Sequence, residues 1–374
     1  MNILFTRFPL ESTCHGGAEN QTMWLLEGLK ARGHEISFLG SCPALRQRVK
    51  GLGIGDWSIG IGPPPVTKWG AVSFLWRRKT MRQKLIEAIE KLQASSFKLQ
   101  AIFMLSLTEK LLLTDWAAEN GIKVFWIEHD RIGSWLRWNP WLPAMRRASR
   151  KATIVCVSEL SKKRYEELGF DSKRIVVIPN GVPSLSFSFH SKLKAQSSKL
   201  HLGCIARLSP EKGIDVLLQA IQPVPEFSLT IVGKGPEEGY VRRLISEDTE
   251  RMGTSLPRIR LIPFVNDLDS FYASIDALVL PSVDHDPFGL VAAEAMMRGV
   301  PVVVTDACGI ASCLQDKIDA LIVKAGDAGE LQQAMESLAD ILLRERLSEN
   351  GKRTAEREFS LAAMVDKYEQ LLQS

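Results

Sequence analysis

The chain has 374 residues, 45% of them apolar and 24% charged. That is roughly two and a half times a domain of ~150 residues, so two domains of similar size are expected and a single small module or a disordered chain is excluded. Its net charge of +4 hides a division. Residues 1–200 carry 30 Lys and Arg against 16 Asp and Glu, or +14, and residues 201–374 carry 17 against 27, or −10.

Residues 3–8 read as a short buried strand, followed by a loop with Gly16-Gly17, an apolar-periodic helix over 18–31 and a strand at 36–39, which together form a βαβ unit. Further strand-like runs at 101–105, 124–127, 153–157 and 175–178 alternate with helical stretches, as in a mostly parallel sheet. The periodic signal stops over 182–199, where six serines, one proline and three lysines mark an interdomain linker. Alternation resumes with strands at 202–206, 228–232, 259–262, 277–280 and 301–304, predicting a second doubly wound domain. Residues 328–374 are helical by period, with Gly351 as a break. The expected domains are therefore 1–182, a linker at 183–198, a second domain at 199–355, and a C-terminal helix at 356–374 that packs back on the first domain. No apolar run approaches the ~18 residues of a membrane-spanning helix, and Arg7 and Pro9 stop the apolar start, so neither a transmembrane helix nor a signal peptide is expected. The six cysteines, at 14, 42, 156, 204, 308 and 313, have no metal-ligand spacing and suit a reduced, cytoplasmic protein.

In two-domain α/β proteins ligands bind at the carboxyl ends of the strands, so the loops after strands carry the candidate chemistry. Gly16-Gly17-Ala18-Glu19 opens the first helix, and reads either as a phosphate-approaching loop or as a flexible turn. Gly233-Lys234-Gly235-Pro236, with Gly239 beyond, superficially resembles a dinucleotide fingerprint, but the last glycine is one residue too far, Pro236 intrudes, and no acidic residue ends a strand about twenty positions on. Asp267-Leu268-Asp269 and Asp284-His285-Asp286 read as metal-holding pairs for a nucleotide diphosphate, or, for the first, as the start of a helix through Phe271 and Tyr272. The most specific block runs from Leu278 to Cys308. Asp286 sits in a loop before a helix from about Phe288, and Glu294 lies two turns inside that helix. Both carboxylates suit sugar hydroxyls, and the free N–H groups of the helix start suit phosphate. A purely structural role explains Glu294 poorly, lodged among Ala292, Ala293, Ala295 and Met296.

At this block the sequence resembles the family 4 retaining glycosyltransferases (glycosyl transferases group 1). The resemblance also takes in Gly16-Gly17-Ala18-Glu19, Val157-Ser158, Ile178-Pro179-Asn180-Gly181-Val182, Ala206-Arg207-Leu208, Glu211-Lys212-Gly213 and Ile231 through Pro236. It implies the GT-B fold, two Rossmann-like doubly wound domains facing a central cleft, and a hexosyltransferase that takes a nucleotide-sugar donor. Arg207 and Lys212 look like the cations that grip the donor diphosphate in place of a metal, so no metal and no cofactor is expected. Glu294 looks like the carboxylate that accepts the ribose hydroxyls. Asp286 resembles the one that meets the donor sugar, where the family usually has Glu. Phe288, Gly289 and Leu290 would offer backbone N–H groups to the donor, and Gly16 and Gly17 would close over it from the first domain. His129, in Trp126-Ile127-Glu128-His129-Asp130, resembles the cleft histidine that bonds the transferred sugar.

All nine tryptophans lie between Trp24 and Trp141. Trp69 and Trp76 precede Arg77-Arg78-Lys79, Arg82 and Lys84, and Trp135, Trp138 and Trp141 precede Arg146, Arg147, Arg150 and Lys151. This composition suits the headgroup level of an anionic membrane, a sugar-binding cleft, or a core with a solvated face. The expectation is a metal-independent retaining transferase, with UDP-sugar favoured over GDP-sugar. Its acceptor would be lipid-linked, or a polysaccharide or lipopolysaccharide, and the enzyme would be peripheral at the inner face of the membrane. No nucleic-acid partner is expected. The rivals are a non-catalytic nucleotide-sugar-binding protein of the same fold and a nucleotide-dependent oxidoreductase using Gly233 to Gly239.

Overall fold

The computed structural model describes residues 1–9, 16–94, 97–129, 136–183, 200–253 and 257–374. The chain forms two compact units, Met1–Gly181 with Leu361–Ser374, and Val182–Ser360. The expected linker at 183–198 lies outside the described residues, save for Pro183.

The first unit is a seven-stranded, all-parallel sheet. Its strands are β1 (Asn2–Arg7), β2 (Glu35–Gly40), β3 (Gly55–Ser58), β4 (Ala101–Met104), β5 (Lys123–Glu128), β6 (Thr153–Cys156) and β7 (Ile175–Val177), in the order β3-β2-β1-β4-β5-β6-β7. Strands β1 and β4 to β6 are nearly continuous runs of Ile, Leu, Val, Phe and Met, as burial on both faces of a parallel sheet requires. On one face α1 (Gly17–Ala31) packs with α2 (Pro43–Gly51). On the other lie α3 (Lys68–Ala94), α4 (Leu107–Glu119) and α5 (Leu142–Ser149), while α6 (Glu159–Glu167) joins β6 to β7. Strand β3 has no counterpart among the sequence expectations, because Gly55-Asp56-Trp57-Ser58 is an exposed edge without an apolar run.

The last helix, α13 (Leu361–Gln373), belongs to the first unit. Met364, Val365, Tyr368 and Leu372 are buried in its core, Tyr368 meets Phe103 edge-on at 5.9 Å, and Lys123 Nζ donates to the Leu372 carbonyl at 2.8 Å.

The second unit is a six-stranded parallel sheet of β8 (His201–Ile205), β9 (Ser228–Val232), β10 (Ile259–Ile262), β11 (Ala277–Leu280), β12 (Val302–Thr305) and β13 (Leu321–Val323), ordered β10-β9-β8-β11-β12-β13. Its helices are α7 (Ile214–Ile221), α8 (Glu238–Arg251), α9 (Leu268–Ser274), α10 (Leu290–Met297), α11 (Ala328–Ser337) and α12 (Ile341–Glu358). Gly351 does not break the C-terminal helical stretch; it is buried inside α12. The interruptions fall instead at Asp340, whose carboxylate caps α12 by accepting from the Leu342 N–H, and after Phe359, where the chain passes back to the first unit. In each sheet the strand order reverses once, between β1 and β4 and between β8 and β11, and these reversals are where open α/β sheets bind ligands.

Candidate active site

Strands β8 and β11 are parallel neighbours, pairing Ala277 with Leu202 and Leu278 with Gly203. The loops that leave them bring together several of the expected residues. After β8, residues Pro210–Lys212 make one 3₁₀ turn that ends at Gly213, with φ 62°. A Cβ there would lie 2.2 Å from the Pro281 carbonyl oxygen, so only glycine lets this turn touch the loop after β11. The contact is sealed by the Glu211 carbonyl, which accepts from the Val283 N–H at 3.0 Å.

Across this junction Lys212 Nζ donates to Asp286 Oδ2 at 2.7 Å, and the Ser282 hydroxyl donates to the same oxygen at 3.2 Å. Asp286 is further fixed by its backbone, which donates to the Ala307 carbonyl and accepts from the Gly309 N–H, each at 2.9 Å. The two expected donor-contacting side chains are therefore an ion pair that leaves the Lys212 ammonium partly exposed. Arg207 pairs instead with Glu211 at 2.7 Å, and its side chain is 67% exposed, free to swing toward an anion. Arg207 and Lys212 thus hold different partners.

Phe288 is buried and meets Phe359 edge-on at 5.5 Å, and Gly289, at φ 90°, is the N-cap of α10. Helix α10 begins at Leu290, two residues later than expected. Its opening N–H groups have no carbonyl within the helix to receive them. Glu294 is half-buried, and burial pushes its carboxyl pKa up. Two side chains oppose that shift. The buried Tyr272 hydroxyl lies 3.1 Å from Glu294 Oε2, and Arg298, one turn on, donates to the Glu294 carbonyl at 2.9 Å while its guanidinium lies 4.9 Å from the Tyr272 ring centroid. Asp269 holds Arg298 in place through its Nε at 2.7 Å. Tyr272 and Arg298 were not among the sequence-derived candidates, and Asp269 was one only as half of a metal-holding pair. The i, i+4 spacing of Glu294 and Arg298 was legible, but the contact of α9 with α10 carries no sequence signal.

The first acidic triplet finds a structural role. Asp267 caps α9, its Oδ1 accepting from the Asp269 and Ser270 N–H groups at 3.0 and 3.2 Å, and Asp269 pairs with Arg298. Among the described residues no group of three or more His, Cys, Asp or Glu is arranged to hold a metal ion. The Gly233 to Pro236 loop packs on the segment that carries Arg207. A Cβ on Gly233 would lie 1.9 Å from the Ala206 carbonyl oxygen, and the Leu208 N–H donates to the Lys234 carbonyl at 2.9 Å. Its glycines are thus accounted for by loop packing.

In the first unit, Gly16 and Gly17 are exposed at the start of α1, and His129 directly follows β5. Asp130 and Trp135 lie outside the described residues. Behind Gly16 is a buried charged set: Arg7 with Glu19, Lys110 with Glu128 at 2.8 Å, and Glu109. Glu109 is fully enclosed in the first turn of α4, where its Oε1 accepts from the Ser106 N–H at 2.7 Å, and burial pushes its pKa up to about 7.

Residues 15–184 match the model of Glycosyltransferase Family 4, and residues 199–340 match that of Glycosyl transferases group 1, so that the two together take in most of the chain. Over 224 residues the chain is 32% identical to the lipopolysaccharide core biosynthesis glycosyltransferase LpsE of Rhizobium meliloti, covering 59% of this chain and 64% of that protein, a little under two thirds of its length. It is 29% identical over 279 residues to LpsD of the same organism, covering 68% and 78%. Among solved structures, Anabaena Alr3699/HepE in complex with UDP superposes with a TM-score of 0.80 at 20% identity, over 100% of both chains. The fold is GT-B, and with both halves matched by models of one kind, the chain belongs to the family 4 glycosyltransferases of group 1.

Proposed function

We propose that the protein transfers a hexose from a nucleotide-sugar donor to a lipid-linked or polysaccharide acceptor of the cell envelope, without a metal and with retention at the anomeric carbon. The observation that carries this reading is the gathering of Arg207, Lys212, Asp286 and Glu294 on the loops after β8 and β11 and on α10, at the strand reversal of the second unit. Names of the relatives LpsE and LpsD place those proteins in lipopolysaccharide core biosynthesis, and HepE was crystallised with UDP; these support the acceptor class and the preference for UDP over GDP.

In this reading Glu294 accepts the ribose hydroxyls, and the backbone N–H groups of Phe288, Gly289 and Leu290, leading into α10, face the donor. Lys212 and Arg207 meet the diphosphate and stabilise the charge that grows on it as the glycosidic bond breaks, the part a divalent cation plays elsewhere. Asp286 serves both Lys212 and the donor sugar. Its side chain is one CH₂ shorter than the Glu usual in the family, so the sugar it selects is set by a shorter reach. His129 bonds the transferred sugar, and Gly16 and Gly17 close over the donor. No cofactor is needed. The same reading places the protein in the cytoplasm, at the inner face of an anionic membrane.

A non-catalytic nucleotide-sugar binder would hold the diphosphate with the same cations, and donor turnover separates it from the transferase. The oxidoreductase reading loses its footing, since the glycines at 233 and 235 serve loop packing. A thermal-shift screen with UDP, GDP, ADP and their common hexose conjugates tests the proposal, because a ligand that binds only the native state raises its melting temperature. A shift with UDP-hexoses is expected. No shift with any nucleotide sugar, or a shift with NAD(P)H alone, would overturn it.

A further inference from the structure

Helix α3 has two apolar faces, and the described residues bury only one. Phe74, Met81, Leu85, Ile89 and Leu92 point into the core of the first unit. The solvent side of the first two turns carries Trp69, Val72, Leu75 and Trp76, which are 76%, 44%, 52% and 72% exposed. At 100° per residue these four fall within about a third of the helix circumference, and Lys79 and Arg82 continue the same stripe in the following turns. A fifth apolar side chain joins them. Asn139 Nδ2 donates to the Pro65 carbonyl and Trp141 Nε1 to the Ala71 carbonyl, each at 2.8 Å, and the Trp141 ring meets Phe74 at 4.9 Å. These bonds fasten the 139–141 segment to the start of α3, and Trp138, the next residue back, is 82% exposed. Three tryptophans this bare on one small area are uncommon on a soluble surface and mark a contact site.

The charge around them selects the occupant. Residues 68–86 contain Lys68, Arg77, Arg78, Lys79, Arg82 and Lys84 and no Asp or Glu, and Arg137 flanks Trp138. A second copy of the chain seated here about a two-fold axis would bring like charges together with no acid to offset them. We infer that this face docks on an anionic lipid surface, with Trp69, Trp76 and Trp138 at the headgroup level and the apolar ridge between them entering the acyl boundary. Two other tryptophans of the first unit do different work: Trp126 and Trp141 are buried in the core. The inference rests on the membrane part of the proposed function, and it assigns that part to one helix face.

Co-sedimentation of the full chain with vesicles of phosphatidylcholine alone, or mixed with phosphatidylglycerol, tests it. Three proteins are compared: the wild type, Trp69→Ala/Trp76→Ala/Trp138→Ala, and Lys79→Glu/Arg82→Glu. All the altered side chains are exposed, and UDP titration of each variant checks that the second unit is unaltered. The wild type should bind the anionic vesicles more tightly than the neutral ones. The tryptophan variant should lose at least ~10-fold in partitioning, and the charge variant ~30-fold or more on anionic vesicles only, since each near-surface cation contributes about a factor of five. Wild-type binding that survives unchanged in both variants would place the membrane contact elsewhere and overturn this inference alone. Failure of the wild type to bind either vesicle would overturn it together with the membrane part of the function. A dimer that the tryptophan variant dissolves, without lipid binding, would give the face to a second copy.

Discussion

Replacing Tyr272 by Phe removes one oxygen and leaves the ring, its stack under Arg298 and its contact with Phe271 in place. What is lost is a charge-assisted hydrogen bond to Glu294 Oε2, 3.1 Å long and largely out of water, where such bonds contribute roughly 1.5–3 kcal/mol. The same hydroxyl lies 3.2 Å from the Val291 carbonyl oxygen, and its single proton serves one acceptor at a time, so the lower end of that range applies. UDP affinity should fall by about tenfold, the equivalent of ~1.4 kcal/mol. The effect should also depend on pH. Burial raises the Glu294 pKa and the Tyr272 hydroxyl lowers it, so in the variant the pKa rises further and the carboxylate that accepts the ribose hydroxyls is lost at a higher pH as the solution is acidified. Calorimetry of UDP and of inorganic diphosphate across the acidic range reads both effects. An equal loss for diphosphate would show that the tyrosine acts on the whole site, and unchanged UDP binding in a folded variant would show that Glu294 needs no holding.

Arg207→Ala and Lys212→Ala should each lower turnover by at least ~100-fold in a UDP-release assay, because both cations are assigned to the leaving diphosphate. Lys212→Ala should in addition alter sugar selectivity by releasing Asp286, and equal rates for wild type and variant would refute either assignment. Gly213→Ala places a methyl against the Pro281 carbonyl at a left-handed φ, and should destabilise the second unit by more than ~1 kcal/mol in chemical denaturation; a neutral result would mean the turn is not clamped. Glu109 has its folded pKa raised to about 7 from 4.5, so its contribution to stability is greatest below pH ~4.5 and is lost as pH rises through about 7. Glu109→Gln, which keeps the cap on the Ser106 N–H, should raise the melting temperature above pH 7 and flatten its pH dependence between those limits, and an unchanged pH profile would count against a buried carboxyl.

Where an element owes its place to an apolar run, it was legible: β4, β5, β9 and β11 end within one residue of where their Ile, Val and Phe clusters predict. Strand β3 and the short β13 were not, because an exposed edge and a three-residue strand leave too little pattern to read. Gly351 looked like a helix breaker because propensity ignores tertiary packing, and inside α12 the lack of a side chain is what fits, since a Cβ would lie 2.8 Å from the Asp319 carbonyl oxygen. At the site, Asp286 and Glu294 stood out from the block between Leu278 and Cys308, whereas Arg207 and Lys212 came only with the family resemblance. That Lys212 and Asp286 hold each other across two loops, and that Tyr272 from α9 holds Glu294, depends on the β8–β11 pairing and on helix packing, which a linear sequence does not display. The tryptophans sort by the same rule. Composition put all nine in one half, and only tertiary packing separates the buried Trp126 and Trp141 from the bare Trp69, Trp76 and Trp138.

The central claim is that fixed protein charges, without a metal, hold a nucleotide sugar at the strand reversal of the second unit. Titration of UDP-hexose into the full chain in excess EDTA, beside Glu294→Gln, measures it directly. The account predicts binding that is indifferent to chelator and weakened by roughly 1–3 kcal/mol in the variant. Binding that disappears in EDTA and returns with Mn²⁺, or that Glu294→Gln leaves untouched, would contradict it.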